Sequence, residues 1–568
     1  MTPFSVHQAV FSLGETLWNL YGDLRDMLFD ARGLRLEEWK QQGRATLVKN
    51  GSGRTIYHVR LPGLDMYVKH FRAATPMNLL HQIVRQGRAE KEFHLAHLLN
   101  TRGVSTIRPI ALGERRKHGM LLESYLLTEA IPNGLTLFEL IERCVLTGRM
   151  PFPPKNRFYF AEQLARLAAT IHETGIEHRD LHERNIIIQP AADGEFRFFI
   201  LDLHELRVHR EVSWQCASKE LSRMGRYFTL RTSASDRLRF FLHYARFRGF
   251  SEREARKLAK EVEYSTVESR ADFWRRRDTR PQRKNQKFDY YKSKDTVAHT
   301  LPEIPAETVQ MLMDNPDGPF LDSLVHWWKI GRATRVAEVE LPQIRASDSL
   351  IYKQYYFKGW HESLASIFHP NQATRAWNAG AALLLRELPT PRPLMLIHKM
   401  RHGMPVTSYL LTERVPGAQT ITRFLDRHLP ELDPVEQKRV RRGVLRESAM
   451  LLRKLHDRRA THRDLKASNI LLSTTDDLAR PKLWLIDLDG VQTWQTVPEK
   501  HRLQNLTRFY VSFHQNPWLS LTDRLRFLRI YLARDFKDKS LWKRYWKEIH
   551  AQTEKKISRN LRQGRTVV

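Results

Sequence analysis

Two segments of the chain place an asparagine five residues after an aspartate, in closely similar surroundings. The first segment reads His-Arg-Asp-Leu-His-Glu-Arg-Asn and contains Asp180 and Asn185. The second reads His-Arg-Asp-Leu-Lys-Ala-Ser-Asn and contains Asp464 and Asn469. A carboxylate can accept the proton of a hydroxyl group that attacks a phosphate, and an amide oxygen can bind Mg²⁺. The pattern therefore predicts two phosphoryl-transfer sites, in which Asp180 and Asp464 are the catalytic bases.

A second aspartate follows each segment at the end of an apolar run. Asp202 comes after Phe-Phe-Ile-Leu, and Asp487 comes after Leu-Trp-Leu-Ile. A kinase-like site uses an aspartate after a buried strand to bridge Mg²⁺ to the nucleotide phosphates. The predicted metal ligands are therefore Asn185, Asp202, Asn469 and Asp487.

A lysine in a β-like run precedes each set. Lys69 and Lys353 are 284 residues apart (353 − 69), the same shift that relates the two aspartate segments. A lysine on a strand can reach two phosphates of ATP as a point cation. Glu92, or else Glu90, can anchor Lys69 by an ion pair from the following helix. The same shift places Ala376 where the first copy has Glu92, so the second copy lacks this partner.

Weaker signals complete the predicted nucleotide sites. Gly51 and Gly53, in a hairpin turn ahead of Lys69, can let the backbone close over phosphates. The second copy has only Gly331 at this turn. Glu129 and Glu413 end apolar strands where adenine would lie, although backbone groups would make the base contacts there.

The elements that must position these residues follow from the hydrophobic patterns. Three β-like runs over 45–71 precede a helix over 90–99, and an apolar strand covers 121–128. A helix over 157–174 leads into the first aspartate segment, and Arg-rich helices occupy 211–263.

The repeat extends beyond the motifs and predicts two tandem domains. Ser-Tyr-Leu-Leu-Thr-Glu occurs at 124–129 and 408–413, and Asp-Arg-Leu-Arg-Phe occurs at 236–240 and 523–527. A period this long indicates a domain pair, because solenoid units repeat every few tens of residues. The predicted organisation is an amphipathic helix over 1–32, a first domain over 33–265, a basic linker over 266–319, a second domain over 320–550 and a basic tail over 551–568.

Composition limits the partners and the compartment. The chain carries 94 Lys and Arg against 63 Asp and Glu, a net charge of +31 that favours polyanionic partners. Its two cysteines, Cys144 and Cys216, provide no disulfide framework and fit a reducing compartment. We expect neither a secretory signal at the start nor a membrane span, because no apolar run approaches eighteen residues.

The ordered lysine, aspartate and asparagine set resembles the protein-kinase-like superfamily. Asp-Leu-His or Asp-Leu-Asp replaces the Asp-Phe-Gly motif, and no Ala-Pro-Glu element follows. These features, together with the segments at 126–132 and 236–240, are similar to the lipopolysaccharide kinase family, which phosphorylates Kdo or heptose of the inner core. The resemblance covers roughly 45–250 and 325–535.

The resemblance implies an α+β fold with two tandem kinase-like domains, each with a small β-rich N-lobe and a mostly helical C-lobe. It also implies ATP and Mg²⁺ as cofactors and an anionic glycolipid, the lipopolysaccharide inner core, as acceptor. The expected location is the cytoplasm, with peripheral contact at the inner face of the inner membrane as an open option.

Three alternatives remain open at this stage. One is a protein Ser/Thr kinase, disfavoured by the missing Asp-Phe-Gly and Ala-Pro-Glu elements. Another is a kinase–pseudokinase pair in which the second domain is regulatory, and the first domain is the safer active site. The last is a nucleic-acid-binding protein that uses the basic linker; we regard nucleic acid as the disfavoured partner, since charged runs are commonly only solvated.

Overall fold

A computed structural model divides the chain into two compact units, Met1–Arg270 and Ala271–Val568, which we refer to as the first and second domains. The structure describes residues 8–51, 53–72, 87–147, 154–190, 196–322, 325–344, 349–357, 361, 363–365, 369–474, 477–514 and 516–564. Within these residues, no helix has the length and apolar character needed to cross a membrane.

In its described residues, the N-lobe of the first domain has an antiparallel sheet and three helices. The strands are β1 (Gln8–Leu13), β2 (Thr16–Tyr21), β3 (Phe29–Asp30), β4 (Gly33–Leu34), β5 (Ala45–Gly51), β6 (Arg54–Leu61), β7 (Leu64–Arg72), β8 (Pro109–Lys117) and β9 (Met120–Glu129). The helices are α1 (Arg25–Leu28), α2 (Leu36–Gln41) and α3 (Arg88–Thr101). Within the described residues, seven of these strands form one sheet in the order β1-β2-β8-β9-β7-β6-β5, and β3 pairs only with β4.

The two faces of this sheet pack against different elements. Side chains alternate between the faces of a strand, so β7 contributes to two separate cores. Met66 belongs to the core that contains Trp39 of α2, whereas Phe71 belongs to the core that contains Phe93 of α3. Lys69 lies two residues before Phe71 and therefore faces α3.

The C-lobe of the first domain is mostly helical. Its helices are α4 (Leu137–Thr147), α5 (Pro154–Glu173), α6 (Trp214–Arg231), α7 (Ala234–Phe247) and α8 (Glu252–Asp278). Its short strands are β10 (Leu135–Thr136), β11 (Ile176–His178), β12 (Ile186–Pro190), β13 (Phe196–Ile200) and β14 (Leu206–Val208). Strands β12 and β13 pair antiparallel, as do β11 and β14, and these two pairs flank the loops that carry Asp180 and Asp202.

The second domain repeats this architecture. Its strands are β15 (Asp289–Lys292), β16 (Thr296–Thr300), β17 (His326–Ile330), β18 (Thr334–Val339), β19 (Leu350–Tyr356), β20 (Pro393–Arg401), β21 (Met404–Glu413), β22 (Gln419–Thr420), β23 (Ala460–His462), β24 (Ile470–Ser473), β25 (Lys482–Leu485) and β26 (Val491–Thr493). Its helices are α9 (Ala306–Asp314), α10 (Gln372–Leu385), α11 (Ile421–Arg427), α12 (Pro434–Asp457), α13 (Glu499–Val511), α14 (Leu521–Leu532) and α15 (Lys539–Arg562). In the described part of this domain the large sheet has the order β15-β16-β20-β21-β19-β18-β17, which matches the first sheet strand for strand. The predicted α+β class with two tandem kinase-like domains is confirmed.

The predicted amphipathic helix over 1–32 is wrong for the residues that the structure describes. Strands β1 and β2 form a hairpin that adds to the sheet, and only α1 is helical in this stretch. The apolar residues assigned to a helical stripe include Val10 and Leu17, which are more than half exposed. Period-two burial of Trp18 and Leu20 against the sheet core determines the strand instead.

The predicted basic linker over 266–319 is also wrong. Helix α8 continues to Asp278, whose carboxylate accepts two hydrogen bonds from the buried Arg386 guanidinium at 2.7 and 2.9 Å. The following segment supplies β15 and β16 to the second sheet. The repeat therefore begins with a hairpin in each domain, and the second copy starts well before residue 320.

The predicted basic tail over 551–568 is helical as far as Arg562, because α15 includes it. Ile549 and Thr553 of this helix are buried, so the helix packs on the domain through these positions. Residues 565–568 lie outside the described residues.

A buried histidine links three helices of each C-lobe. In the first domain, the Tyr244 hydroxyl donates to His172 Nδ1 (2.8 Å), and His172 Nε2 lies 3.3 Å from a Glu220 carboxylate oxygen. In the second, the Tyr531 hydroxyl donates to His456 Nδ1 (2.8 Å), and His456 Nε2–H donates to Asn505 Oδ1 (3.0 Å). The two networks differ by the exchange of a carboxylate for an amide.

The second network makes stability depend on pH. Burial lowers the pKa of His456 to about 4; Arg502 adds to the decrease, and the Asn505 hydrogen bond opposes it. The unfolded chain binds a proton near pH 6.5, whereas the native imidazole stays neutral, so stability is lost as the pH falls from about 6.5 toward 4. Between about pH 7 and pH 5, this group should cost about 2 kcal/mol of unfolding free energy.

Urea titrations of the wild type and of His456→Gln at these two pH values test this expectation. The free-energy difference between the two proteins should shrink at the lower pH. The exposed His326→Gln variant is the control, and its difference from the wild type should not change. A difference for His456→Gln that stays constant with pH would contradict the assignment.

Candidate functional site

A buried ion pair anchors the predicted nucleotide lysine of the first domain. Lys69 Nζ lies 2.6 Å from Glu92 Oε2, and these residues are only 7% and 2% exposed. Strand alternation turns Lys69 toward α3, and Glu92 lies on the buried side of that helix. Burial alone would raise the pKa of the Glu92 carboxyl, but Lys69 and His204 lower it to about 2. Glu92 therefore remains a carboxylate that holds the lysine in place.

The same glutamate connects the lysine to the segment Asp202-Leu203-His204. We call this segment, and Asp487-Leu488-Asp489 in the second domain, the third motif. His204 Nδ1–H donates to Glu92 Oε1 at 2.9 Å. The ligand atoms of Glu92, Asp202 and His204 lie within 4.8 Å of one another. Arg54 Nη1 also lies 3.4 Å from Asp202 Oδ1. Lys69, Glu92 and Asp202 thus converge on one place.

Asp202 has an unusual backbone conformation. Its φ is 54°, in the left-handed region that few non-glycine residues adopt, and Asp487 repeats this with φ 60°. An αL aspartate turns the chain sharply from the end of a strand into a one-turn 3₁₀ helix. Such strain often marks a functional position.

The loop that carries Asp180 and Asn185, the predicted first catalytic loop, is joined by hydrogen bonds to the strand end before Asp202. His178 Nε2–H donates to the Leu201 carbonyl (2.9 Å), and the Asp180 backbone N–H donates to His178 Nδ1 (3.3 Å). Burial lowers the pKa of His178, so the imidazole is neutral, as this pattern requires. The Asn185 side-chain NH₂ donates to the Asp180 carbonyl at 3.0 Å, an orientation that leaves its amide oxygen for an ion.

The second catalytic loop has the same geometry. His462 Nε2–H donates to the Ile486 carbonyl (3.0 Å), and the Asp464 backbone N–H donates to His462 Nδ1 (3.3 Å). The Asn469 side-chain NH₂ donates to the Asp464 carbonyl at 2.8 Å. In each domain these contacts therefore bring the first aspartate, the asparagine and the second aspartate together at the strand end that precedes the second aspartate.

The lysine of the second domain has a different partner. Ala376 occupies the helix position of Glu92 and is buried, and Lys353 Nζ lies 2.7 Å from Asp487 Oδ1 instead. Burial lowers the pKa of Lys353, but Tyr355 and Asp487 raise it more, so the pKa is above its usual value. The lysine is therefore paired with the carboxylate that was predicted to bind the metal.

A second carboxylate, Asp489, lies close to this pair. It occupies the position of His204 in the first domain, two residues after the αL aspartate. Burial and the neighbouring Asp487 raise the pKa of Asp489. Arg375 Nε donates to the Asp489 backbone carbonyl (3.1 Å), just as Lys91 Nζ donates to that of His204 (2.5 Å). The helix and the third motif are thus joined in the same way in both domains.

Cations surround the two predicted catalytic aspartates unequally. Arg508 Nη1 lies 2.9 Å from Asp464 Oδ1, and Lys466 Nζ lies 3.3 Å from Asp464 Oδ2. Asp180 has His182 Nε2 at 3.5 Å. Burial lowers the pKa of His182, but Asp180 raises it more, so the net shift is upward. The second loop is therefore the more strongly positive one.

Gly51 and Gly53 lie at the hairpin between β5 and β6, and Glu129 and Glu413 lie at strand ends of the two large sheets. Gly51 pairs with Arg54 in the hairpin, and an added Cβ there would make only an ordinary contact, so its backbone does not require glycine. Gly53 accepts a backbone hydrogen bond from Arg72 at 3.1 Å. Their role at the nucleotide remains a prediction.

Glu129 and Glu413 occupy equivalent strand ends. The Glu129 backbone N–H donates to the Arg108 carbonyl and its carboxylate lies 3.1 Å from the Arg108 guanidinium. The Glu413 N–H donates to the Arg392 carbonyl, with the carboxylate 3.8 Å from that guanidinium. Both side chains thus pair with the arginine that immediately precedes the neighbouring strand.

Sequence reasoning missed several charged groups at these sites. Arg54 and His204 approach Asp202 and Glu92, and Arg508 reaches Asp464 from α13. The sequence does show that Asp489 stands where the first copy has His204 and that Ala376 stands where it has Glu92. The two differences together indicate that His204 and Glu92 interact in the first copy. Arg54 and Arg508 lie far along the chain from their partners, and no spacing rule identifies them.

Comparisons with known proteins identify the family of this chain. The chain matches the lipopolysaccharide kinase (Kdo/WaaP) family over residues 37–255 and again over 335–531. It is 25% identical over 204 residues to the lipopolysaccharide core heptose(I) kinase WaaP of Pseudomonas aeruginosa, covering 34% of this chain and 74% of that protein. It is 27% identical over 201 residues to the 3-deoxy-D-manno-octulosonic acid kinase of Vibrio cholerae, covering 34% and 77%.

A solved structure of WaaP in complex with acyl carrier protein is also similar, with a TM-score of 0.34, 20% identity, and coverage of 44% of this chain and 97% of that one. The two family segments contain the two lysine, aspartate and asparagine sets and together span more than half of the chain. Membership in a kinase family implies the use of ATP. The chain is a kinase that belongs to the lipopolysaccharide kinase (Kdo/WaaP) family, with two tandem copies of its domain.

Proposed function

We propose that the protein transfers the γ-phosphate of ATP to a sugar hydroxyl of the lipopolysaccharide inner core, on Kdo or heptose, at two sites. The observation that carries this proposal is the convergence in the first domain of Lys69, Glu92 and Asp202, with the Asp180 loop fixed to the same strand end. Positioning and charge neutralisation are what phosphoryl transfer requires of a protein.

Each residue of the first site has a definite task. Asp180 accepts the proton of the acceptor hydroxyl. At the same time the hydroxyl oxygen forms a bond to the γ-phosphorus, and the bond between the γ-phosphorus and the ADP oxygen breaks. Lys69, held by Glu92, places a positive charge on the nucleotide phosphates. The first domain is therefore the surer of the two active sites.

The metal ligands in this proposal are Asp202 and Asn185. Both offer hard oxygen atoms, and the Asn185 NH₂ is already used by the loop, which suits a site for Mg²⁺. The contact between Asp202 and Arg54 is long at 3.4 Å and is readily exchanged. Asp202 and Asn185 would hold Mg²⁺ at this place, and the ion would supply positive charge to the nucleotide phosphates during transfer.

The second site would use Lys353, Asp464, Asn469 and Asp487 in the same roles. Asp487 must exchange Lys353 for the metal before it can act as a ligand. Asp489 lies beside it and can then serve as the partner of the lysine. ATP binding at this site should therefore require a higher Mg²⁺ concentration than ATP binding at the first site.

The acceptor that best suits the protein is an anionic glycolipid. The net charge of +31 favours a substrate with carboxylates and phosphates. The C-lobe of the first domain also contains a partly open apolar cavity of about 1020 Å³, whose lining includes Phe160, Met224 and Phe241, and whose volume would accommodate an acyl chain. Arg256 and Lys260 also line it. The proposed location is the cytoplasm, with peripheral contact at the inner membrane.

A kinase–pseudokinase pair is the second candidate. The buried Ala376 and the direct contact between Lys353 and Asp487 favour it, since they place the second domain's lysine on its own metal ligand. In that arrangement the second domain would regulate the first. Single substitutions of the two catalytic aspartates separate the candidates.

We expect Asp180→Asn and Asp464→Asn each to abolish the phosphorylation catalysed at its own site. Loss of a general base should reduce turnover at the affected site by about 10²- to 10⁴-fold. Mass spectrometry of the core oligosaccharide after incubation with each full-length variant measures this, with the exposed Asp314→Asn as the control. Loss of all turnover from Asp180→Asn and none from Asp464→Asn would establish the regulatory pair instead.

We further expect Glu92→Gln to raise the Mg²⁺ requirement of the first site. The freed Lys69 would turn to Asp202, as Lys353 turns to Asp487, and the metal would have to displace it. Removing a charge-assisted hydrogen bond is worth about 1.5–3 kcal/mol, so the Mg²⁺ concentration for half-maximal ATP binding should rise roughly tenfold or more.

Calorimetric titration of ATP at stepped Mg²⁺ concentrations, in the Lys353→Met background that removes ATP binding at the second site, measures this requirement. Glu90→Gln is the matched control, because Glu90 lies on the same helix and has ion pairs no shorter than 3.9 Å. An unchanged Mg²⁺ requirement in Glu92→Gln would show that the ion pair does not govern the metal site.

A further inference from the structure

The second active site contains more positive charge than catalysis at Asp464 requires. We propose that Lys466, Arg508 and Lys556 form an anion subsite for a phosphate that the acceptor sugar already carries near the hydroxyl to be phosphorylated. This inference rests on the proposed function and extends it, because it assigns the second domain a substrate that a phosphotransfer reaction must first supply.

Two of the three cations contact the catalytic carboxylate directly. Arg508, from α13, lies against one oxygen of Asp464, and Lys466, from the catalytic loop, lies against the other. Both cations are only partly buried, with side chains 24% and 44% exposed. A substrate group that approaches Asp464 therefore meets both of them.

The third cation comes from the C-terminal helix. Helix α15 is fixed on α13 by hydrogen bonds from Thr507 to Gln552 (3.2 Å) and between Tyr510 and His550 (2.9 Å). Lys556 lies one helical turn after Gln552, on the same face of α15. Burial, Arg508 and Lys466 lower the pKa of Lys556, and Asp464 opposes the decrease, so Lys556 shares the electrostatic field of the other three groups.

The charges of this cluster do not balance. Three cations surround a single carboxylate, which leaves an excess of two positive charges. A phosphate monoester carries a charge of about −1.5 to −2 near neutral pH and offers three acceptor oxygens. A phosphorylated sugar thus matches the excess, whereas a neutral sugar leaves it uncompensated.

The first domain has a smaller excess, because Arg223 still acts on Asp180 but the position of Lys556 is neutral. The buried Thr266 and Thr553 relate α8 to α15 by a shift of 287 residues (553 − 266), the same shift as that of the capping boxes at Ser233 and Ser520. This shift places Ser269 where the second domain has Lys556.

The remaining positions also differ in charge or contact. His182 takes the place of Lys466. Arg223 takes the place of Arg508, and it donates to the Arg179 carbonyl. The first site is therefore suited to an acceptor with less negative charge, and the second to its phosphorylated product.

The test compares two acceptors in full-length proteins. With Asp180→Asn present to silence the first site, the second site should prefer a core oligosaccharide that already carries one phosphate over the same oligosaccharide after phosphatase treatment. Adding Lys556→Ser, which installs the first-domain residue, should raise KM for the phosphorylated acceptor by about tenfold and leave KM for ATP unchanged. The exposed neighbour Lys555→Ser is the matched control.

A binding experiment separates this inference from the proposed function. Calorimetric titration with inorganic phosphate should detect binding to the Asp180→Asn protein that Lys556→Ser weakens and Lys555→Ser does not. Phosphate binding without any sugar phosphorylation would support the subsite and overturn the proposed acceptor. Sugar phosphorylation with equal preference for both acceptors, unaffected by Lys556→Ser, would overturn the subsite alone.

Discussion

The buried contact between Lys69 and Glu92 is the interaction on which the proposed first active site depends. A lysine ammonium that is removed from water needs a carboxylate partner, and α3 supplies one at 2.6 Å. Because Glu92 also accepts a hydrogen bond from His204, the pair links the sheet, the helix and the third motif, and so fixes Asp202 relative to the lysine. In the second domain two exchanges, Ala376 for Glu92 and Asp489 for His204, remove this link, and Lys353 pairs with Asp487. The chain thus shows two solutions to the same electrostatic problem, one that leaves the metal ligand available and one that occupies it.

The two domains share their scaffold and differ in the charges around it. Both retain the neutral histidine that ties the catalytic loop to the strand end, the αL aspartate, and a Ser-Asp capping box at the start of α7 or α14. These groups determine where the reacting residues lie. The exchanges that separate the domains, such as Glu92 for Ala376 and Ser269 for Lys556, lie beside the sites and alter their charge without altering the fold.

Much of the fold and of the site followed from the sequence. The 284-residue repeat predicted two domains, and the placement of Glu92 in the helix after Lys69 predicted the observed ion pair. The first hairpin was misread because Val10, Leu13, Leu17 and Leu20 fit a helical stripe, whereas tertiary packing of Trp18 on the sheet decides for a strand. The linker was misread because basic residues near 275–284 suggested a solvated connector. The contacts of Arg54 and Arg508 depend on how distant elements pack, and local spacing carries no information about them.

The central claim is that each domain assembles its lysine and its acidic residues into a site for metal-bound ATP. The stoichiometry of ATP binding to the full-length protein in saturating Mg²⁺, measured by calorimetry, tests it most directly. We expect two molecules of ATP per chain, with Lys69→Met and Lys353→Met each removing one. Binding of a single molecule, lost in Lys69→Met and unchanged in Lys353→Met, would contradict a second nucleotide site, and no binding at all would contradict both.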